Sequence, residues 1–217
     1  MKRRAVLALL ALCLSLPPAR AAGQARYYAG ALVGAGRLDS ELGGPDTPRD
    51  ELTGALFGFE GRASIWKLEV DVRYVTGTFE ADGSRLALDL VEAELLLGVR
   101  PISWITLRVG PHARSFTPES GGTDRWLFWE VRGRVEPAVL APQLRTYFEI
   151  WAAVAGEVNF GSGFGGGRGL EAGLTYRLRQ APFWGRIGYR VDRGSLESGA
   201  RKDSVQELLL VVGVGAR

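Results

Sequence analysis

The sequence predicts an all-β fold, a ten-stranded antiparallel up-and-down barrel. Three observations predict it: apolar and charged residues alternate with period two, short and long connections alternate strictly, and no long segment carries a helical period. The alternation is cleanest where Trp66, Leu68, Val70, Val72 and Tyr74 interleave with Lys67, Glu69, Asp71 and Arg73. Successive side chains of a strand point to opposite faces, so one face is apolar and the other charged. The pattern returns with Leu127, Trp129, Val131, Val135 and Val139 against Glu130, Arg132, Arg134 and Glu136. It returns again with Leu170, Ala172, Leu174, Tyr176 and Leu178 against Glu171, Thr175, Arg177 and Arg179. Ile105, Leu107 and Val109 alternate with Thr106, Arg108 and Gly110, and Ile187, Tyr189 and Val191 with Arg186, Arg190 and Asp192.

These patterns place strands at 26–37, 52–61, 65–78, 85–100, 104–116, 124–139, 144–159, 168–179, 183–194 and 204–216. The short connections are Gly61 to Ser64, Arg100-Pro101-Ile102-Ser103, Leu140-Ala141-Pro142-Gln143 and Gln180-Ala181-Pro182, three of them with a proline turn signal. The long ones are Asp39 to Glu51, Phe79 to Ser84, Thr117 to Thr123, Phe160 to Gly167 and Ser195 to Asp203. Strict alternation of the two kinds is the layout of an up-and-down barrel with tight turns at one end and loops at the other. Eight strands is the alternative, should the weakly alternating first and last segments not pair. Pro111 and Pro137 each remove a ladder hydrogen bond, so a bulge or an early strand end is expected at both.

The first 21 residues read as a secretory signal peptide, leaving residues 22–217 as one barrel domain. Lys2, Arg3 and Arg4 precede an apolar run from Ala5 to Leu16, then Pro17-Pro18 and the small residues of Ala19-Arg20-Ala21. Gly23-Gln24-Ala25 is a second candidate cleavage site. The apolar run is too short for a spanning helix, which needs about 20 residues. Cys13, the single cysteine, falls inside this leader, so the mature chain has neither a disulfide nor a cysteine metal site. Leu12 is bulky where a lipid-attachment motif takes a small residue, which argues against lipidation at Cys13. Loss of Lys2, Arg3, Arg4 and Arg20 leaves 23 basic residues against 24 acidic ones, a net charge of −1. The basic pI thus belongs largely to the leader, and no cluster of excess Lys and Arg points to a nucleic-acid partner.

A barrel of this pattern hides one face and exposes the other. Charges outside would crowd Trp66, Trp129, Tyr74, Tyr176 and Tyr189 into a lumen that Leu and Val already fill, as in a soluble lipocalin-like periplasmic binding barrel. Aromatics near the strand ends favour the opposite sidedness: Trp66, Trp104, Tyr147, Phe183 and Trp184 by the short turns, and Tyr74, Phe116, Trp126 and Phe160 towards the loops. Two such groups resemble the girdles at lipid interfaces. Over the whole mature chain the sequence resembles small bacterial outer-membrane β-barrel proteins, by hairpin pattern and leader rather than by any family motif. The resemblance implies a transmembrane barrel in the outer membrane, with lipid and the barrel-assembly machinery as partners and a structural or surface-interaction role. The terminal Val211-Val212-Gly213-Val214-Gly215-Ala216-Arg217 lacks the aromatic residue in which such proteins commonly end.

With the charged faces inward, the lumen should hold Asp71, Arg73, Glu92, Glu94, Arg108, His112, Glu130, Arg132, Arg134, Glu149, Glu171, Arg177, Arg186 and Arg190. Unpaired buried charge is prohibitively costly, so these groups must pair. A hairpin centred on Asp82-Gly83 sets Arg73 opposite Glu92 and Asp71 opposite Glu94; one about Ile102 sets His112 opposite Glu92. The expected lumen is largely plugged by ion pairs. A general porin is not expected, because wide channels belong to barrels of about sixteen or more strands. A narrow solute channel and a lumen-sited hydrolase are the alternatives. His112 beside Glu92 has the makings of an acid–base pair, but Ser115 falls on the opposite face and no nucleophile accompanies it, so no catalytic residue is assigned. No cofactor or metal site is assigned either. Gly161-Ser162-Gly163-Phe164-Gly165-Gly166 has phosphate-loop spacing but leads into a strand rather than a helix. Asp46, Asp50 and Glu51 match no calcium loop.

Overall fold

The computed structural model describes residues 25–42, 49–81, 87–119, 121–139 and 141–215. The expected leader with its expected cleavage region, Asp46 and the expected Asp82-Gly83 turn lie outside the described residues. Eleven strands follow in order: β1 (Ala25–Leu42), β2 (Arg49–Ile65), β3 (Leu68–Glu80), β4 (Ala87–Ile102), β5 (Ile105–Pro118), β6 (Asp124–Val135), β7 (Ala138–Val139), β8 (Ala141–Val158), β9 (Phe164–Arg177), β10 (Phe183–Leu196) and β11 (Arg201–Gly215). There is no helix among the described residues. β7 is a two-residue strand on the edge of β8; the other ten form the wall. Sequence neighbours pair antiparallel, β1 pairs with β11, and β6 pairs with β8, so the sheet closes on itself. Closure leaves no open edge, and the first and last strands pair along most of their length, which fixes the count at ten rather than eight.

Parity then decides which side each residue faces. On β3 and β4, Val70 pairs with Leu97 and Val72 with Leu95 on the outer face, while Arg73 pairs with Glu94 on the inner face. The outward side chains are exposed apolar groups, and the inward ones are buried. The inward set has two parts. Its outer half, towards the long loops, is apolar: Leu38, Leu52, Phe79, Leu90, Phe116, Trp126, Phe128, Leu196 and Val205 pack into one cluster. Below it lies a belt of arginines and carboxylates. Gly36 makes room for the cap, because a Cβ there would sit 2.8 Å from the Phe79 ring.

Several expectations need correction. The β2–β3 turn is Trp66-Lys67, not Gly61 to Ser64; β2 runs on to Ile65, and Trp66 takes a left-handed φ of 55° in the tight turn. The strands extend into the expected long loops, so Asp39 lies in β1, Glu51 in β2, Phe164 to Gly167 in β9 and Arg201 to Asp203 in β11. Paired backbone continues there because closure gives every such residue a partner. β6 does end at Val135, just before Pro137. Pro111 makes no bulge: β5 passes through it in unbroken register with β6, Pro111 opposite Trp129. The loop-side aromatic girdle fails, since Phe116 and Trp126 point inward into the cap. On the turn side Tyr147 and Trp184 are also buried, which leaves Trp66, Trp104 and Phe183 exposed there.

The cap is packed side chain against side chain, so truncating one of its largest members should leave a cavity. Phe79→Ala is expected to lower the unfolding free energy by about 3–5 kcal/mol, measured by urea titration of the refolded barrel. A loss below about 1 kcal/mol would show that the cap does not pack as described.

Candidate functional site

The charged belt occupies the inner half of the lumen and is built from positions of one parity on nine strands. Arg73 of β3 holds three carboxylates: Glu92 at 2.8 Å, Glu94 at 3.2 Å and Glu207 at 2.6 Å. Arg114 of β5 bridges Glu92 at 2.5 Å and Asp192 at 2.6 Å. Arg190 of β10 reaches Glu94 and Asp192, both at 2.6 Å. Arg132 of β6 meets Glu130, Glu149 at 2.9 Å and Glu94 at 3.1 Å. Nearer the short turns, Arg108 joins Glu69, Glu149 and Asp71 at 2.7, 2.7 and 3.0 Å, while Arg62 pairs with Asp71. Arg186 pairs with Glu60 at 2.5 Å. Charge-assisted bonds of this kind are the strong ones, and Glu69, Asp71, Glu92, Glu94, Glu149 and Asp192 each serve two or more guanidiniums.

Small residues admit the polar groups that finish the belt. Gly188 sits where a Cβ would lie 2.1 Å from the Tyr147 hydroxyl, which donates to Glu171 at 2.7 Å. Gly169 similarly leaves space for the Trp151 indole, whose N–H donates to Asp192 at 2.8 Å. Arg134 lies over the Tyr147 ring at 4.0 Å and 3.3 Å from Glu136. Glu136 belongs to the turn, outside the wall strands. Burial there opposes its charge, but Arg134 prevails and holds the carboxyl below the usual carboxylate range.

His112 is fully buried at the upper edge of the belt. Its Nδ1 lies 3.1 Å from Glu130, and its Nε2 lies 3.4 Å from Glu92 and 3.8 Å from Glu94. The ring packs on Phe128 at 4.4 Å and Trp151 at 5.7 Å between centroids. The polar contacts of the imidazole, among the described residues, are all carboxylates. Ser115 turns its hydroxyl to the Val91 carbonyl on the other face. Ligand atoms of Glu92, Glu94 and His112 lie within 4.8 Å of one another, a spacing at which three donors can share a metal ion. The same two carboxylates already bind Arg73, Arg114, Arg132 and Arg190, so a divalent cation would have to displace guanidiniums.

Thirteen of the fourteen lumen residues expected from sequence lie in or at the edge of this network; Arg177 does not. Arg177 ends β9 at the mouth, exposed, with no salt bridge among the described residues. The register of two hairpins also differs from expectation. Arg73 stands opposite Glu94, not Glu92, and Asp71 opposite Leu96, not Glu94. His112 stands opposite Glu94, not Glu92, and Arg114 takes the place opposite Glu92. The turn into β5 is Ser103-Trp104, with an irregularity between Val99 and Ile102 where Pro101 interrupts the ladder, and this moves the pairing by two residues. Sequence reasoning missed Glu60, Arg62, Glu69, Arg114, Asp192 and Glu207 as belt members. The signal for Arg114 and Asp192 was present, since they share parity with Arg108 and His112 and with Arg186 and Arg190.

No protein-family model matches the chain, and no curated protein matches it. Among solved structures, the outer membrane protease OmpT from Escherichia coli is similar with a TM-score of 0.50 at 7% identity, over 90% of this chain and 97% of that one. Neisserial surface protein A is similar at a TM-score of 0.41 and 15% identity, over 87% of this chain and 96% of that one. Ail, the attachment invasion locus protein of Yersinia pestis, gives 0.39 at 10% identity, over 87% and 98%. The likeness to OmpT is one of fold.

Removing one arginine from the belt strands its carboxylates in a buried setting. Arg73→Met is expected to cost about 3–5 kcal/mol of unfolding free energy, whereas Arg193→Met, on the exposed outer face, should change it by less than about 0.5 kcal/mol. Urea unfolding of the two variants side by side tests this; equal effects would mean that the belt ion pairs do not form.

Proposed function

We propose that this protein spans the bacterial outer membrane as a ten-stranded barrel and acts there as a structural or surface-interacting element, with a lumen closed to solutes. One observation carries the reading: the apolar rows face outward around the barrel. Leu97 is 59% exposed, Val212 57% and Ile150 54%, each on a different part of the wall. Water would penalise such a continuous belt, whereas hydrocarbon matches it. The closed wall suits the same setting, because in lipid each backbone polar group needs a partner within the protein. Exposed Trp66, Trp104 and Phe183 at the short-turn end fit an interface position.

Two layers of the interior support a closed lumen. Cross-lumen ion pairs fill the inner half, and the Phe79, Phe116 and Phe128 cap fills the outer half. His112 lies between these layers, which supports a packing and charge-pairing role over catalysis. Contact with other molecules then falls to the loops and the two mouths.

Two measurements test the reading. Trp129 points outward, so acyl chains brominated near the bilayer centre should quench its fluorescence in a variant that keeps it as the sole tryptophan. The same protein in a planar bilayer should show no steady conductance. Recovery of a monodisperse barrel without detergent would overturn the membrane assignment, and stepwise conductance would overturn the closed lumen in favour of a narrow channel.

A further inference from the structure

We propose that the short-turn mouth of the barrel is a binding site for a small organic anion, a carboxylate or phosphate ester carrying an apolar body. A cavity of about 300 Å³ opens there, within the range of small-ligand sites. It shares Tyr28, Glu60, Arg134 and Arg186 with a void of only about 40 Å³ that leads into the ion-pair belt, so the mouth is a blind pocket. Four arginines line it, Arg134, Arg177, Arg179 and Arg186, against two acids, Glu60 and Glu136. Both acids are engaged, Glu60 by Arg186 at 2.5 Å and Glu136 by Arg134 at 3.3 Å. Among the described residues Arg179 meets only the Gln143 amide, and Arg177 has no salt bridge. Four guanidiniums thus share two carboxylates around the pocket, and Arg177 and Arg179 face it with no salt bridge among the described residues, Arg177 feeling only the Glu136 carboxylate that Arg134 already holds.

An independent observation places a hydrogen-bond donor in the same pocket. Thr175 is 5% exposed and lines the cavity, yet its hydroxyl has no partner. A buried hydroxyl left unpaired costs about 1–3 kcal/mol, which an acceptor oxygen on a ligand would recover. The adjoining wall is aromatic: Trp184, the cross-strand partner of Arg177, packs edge-on to Tyr28 at 5.4 Å, and its indole N–H already donates to the Val214 carbonyl at 3.3 Å, which leaves the ring as an apolar surface. The arginines and Thr175 would take the anionic group, and the rings the apolar body. This assignment does not depend on the membrane reading, since it rests on the mouth alone.

The test is isothermal titration of the folded barrel in non-ionic detergent with phenyl phosphate, benzoate, inorganic phosphate and benzyl alcohol. Saturable binding is expected for the first two, weaker by about tenfold for inorganic phosphate, and none for the neutral alcohol. Arg177→Ala combined with Arg179→Ala should weaken phenyl phosphate by about tenfold or more, Thr175→Val by less, and Arg193→Ala not at all. Arg177 and Arg179 lie outside the belt, so a β-type circular dichroism spectrum should be retained in the double variant. Dihexanoyl phosphatidic acid provides the lipid arm: tighter binding than phenyl phosphate assigns the anion to a lipid headgroup, and weaker binding assigns it to a soluble compound. Absence of saturation by about 10 mM, equal binding of benzyl alcohol, or indifference to the double variant would overturn the proposal.

Discussion

A guanidinium taken out of water costs several kcal/mol unless carboxylates surround it, and eight buried arginines share this lumen. Their pairing is the constraint on which the rest of the structure depends. The pairs do not run only between adjacent strands. Arg73 on β3 reaches Glu207 on β11, Arg114 on β5 reaches Asp192 on β10, and Arg186 on β10 reaches Glu60 on β2. Such links cross the interior, so they form only when the sheet has closed with these strands facing one another. Hydrogen-bonded closure and charge neutrality are therefore coupled: a slip of one residue in a hairpin would turn the arginines of that strand outward and leave their partners bare.

The same coupling explains why the outer half of the lumen can be apolar. Ion pairs need width, because each guanidinium must sit among two or three carboxylates. On β1 to β3 the inward positions near the loops include glycine and leucine, as at Gly36, Leu38, Leu52, Leu56 and Gly77, beside Val75 and Phe79. Glycine at these points leaves room for Phe79 and Leu56 to fill the space by simple packing. The interior changes along the axis from a close-packed cap, through a belt of bonded charge, to a solvent-reached mouth. His112 sits where the first two meet, with aromatic rings on one side and carboxylates on the other.

The fold was legible in the sequence because period-two alternation carries sidedness residue by residue, and one clean run such as Trp66 to Tyr74 suffices to orient its neighbours. Thirteen belt members followed from parity alone. What parity does not carry is register, and there the reading failed. Asp82-Gly83 is a turn signal that does not say how many residues the loop consumes, and Pro101 perturbs the ladder by its missing N–H, so Glu94 takes the places opposite Arg73 and His112 that were expected of Glu92. Aromatic residues failed for a related reason. Phe116 and Trp126 lie near strand ends, as girdle residues do, yet their parity points inward, and parity decided. Long-range pairs such as Arg73 with Glu207 were out of reach, because a linear chain carries no information on which strands face each other across a lumen until the strand count and the tilt are both set.

The choice of cation shows how far the interior is specialised. The chain has three lysines, of which Lys67 and Lys202 are exposed and Lys2 lies outside the described residues. Every buried cation of the belt is an arginine, apart from whatever charge His112 carries. An ammonium offers a compact charge that holds its water tightly, whereas guanidinium is weakly hydrated and presents five donors in a plane. Only the second can serve three carboxylates on two sides of a narrow interior, as Arg73 does, or lie flat on a ring while bonding at its edge, as Arg134 does over Tyr147. Lysine in those places would satisfy fewer carboxylates at greater desolvation cost. Arg177 and Arg179 are the same residue type at the mouth, but neither makes a salt bridge among the described residues, and that difference in company sets the mouth apart from the belt.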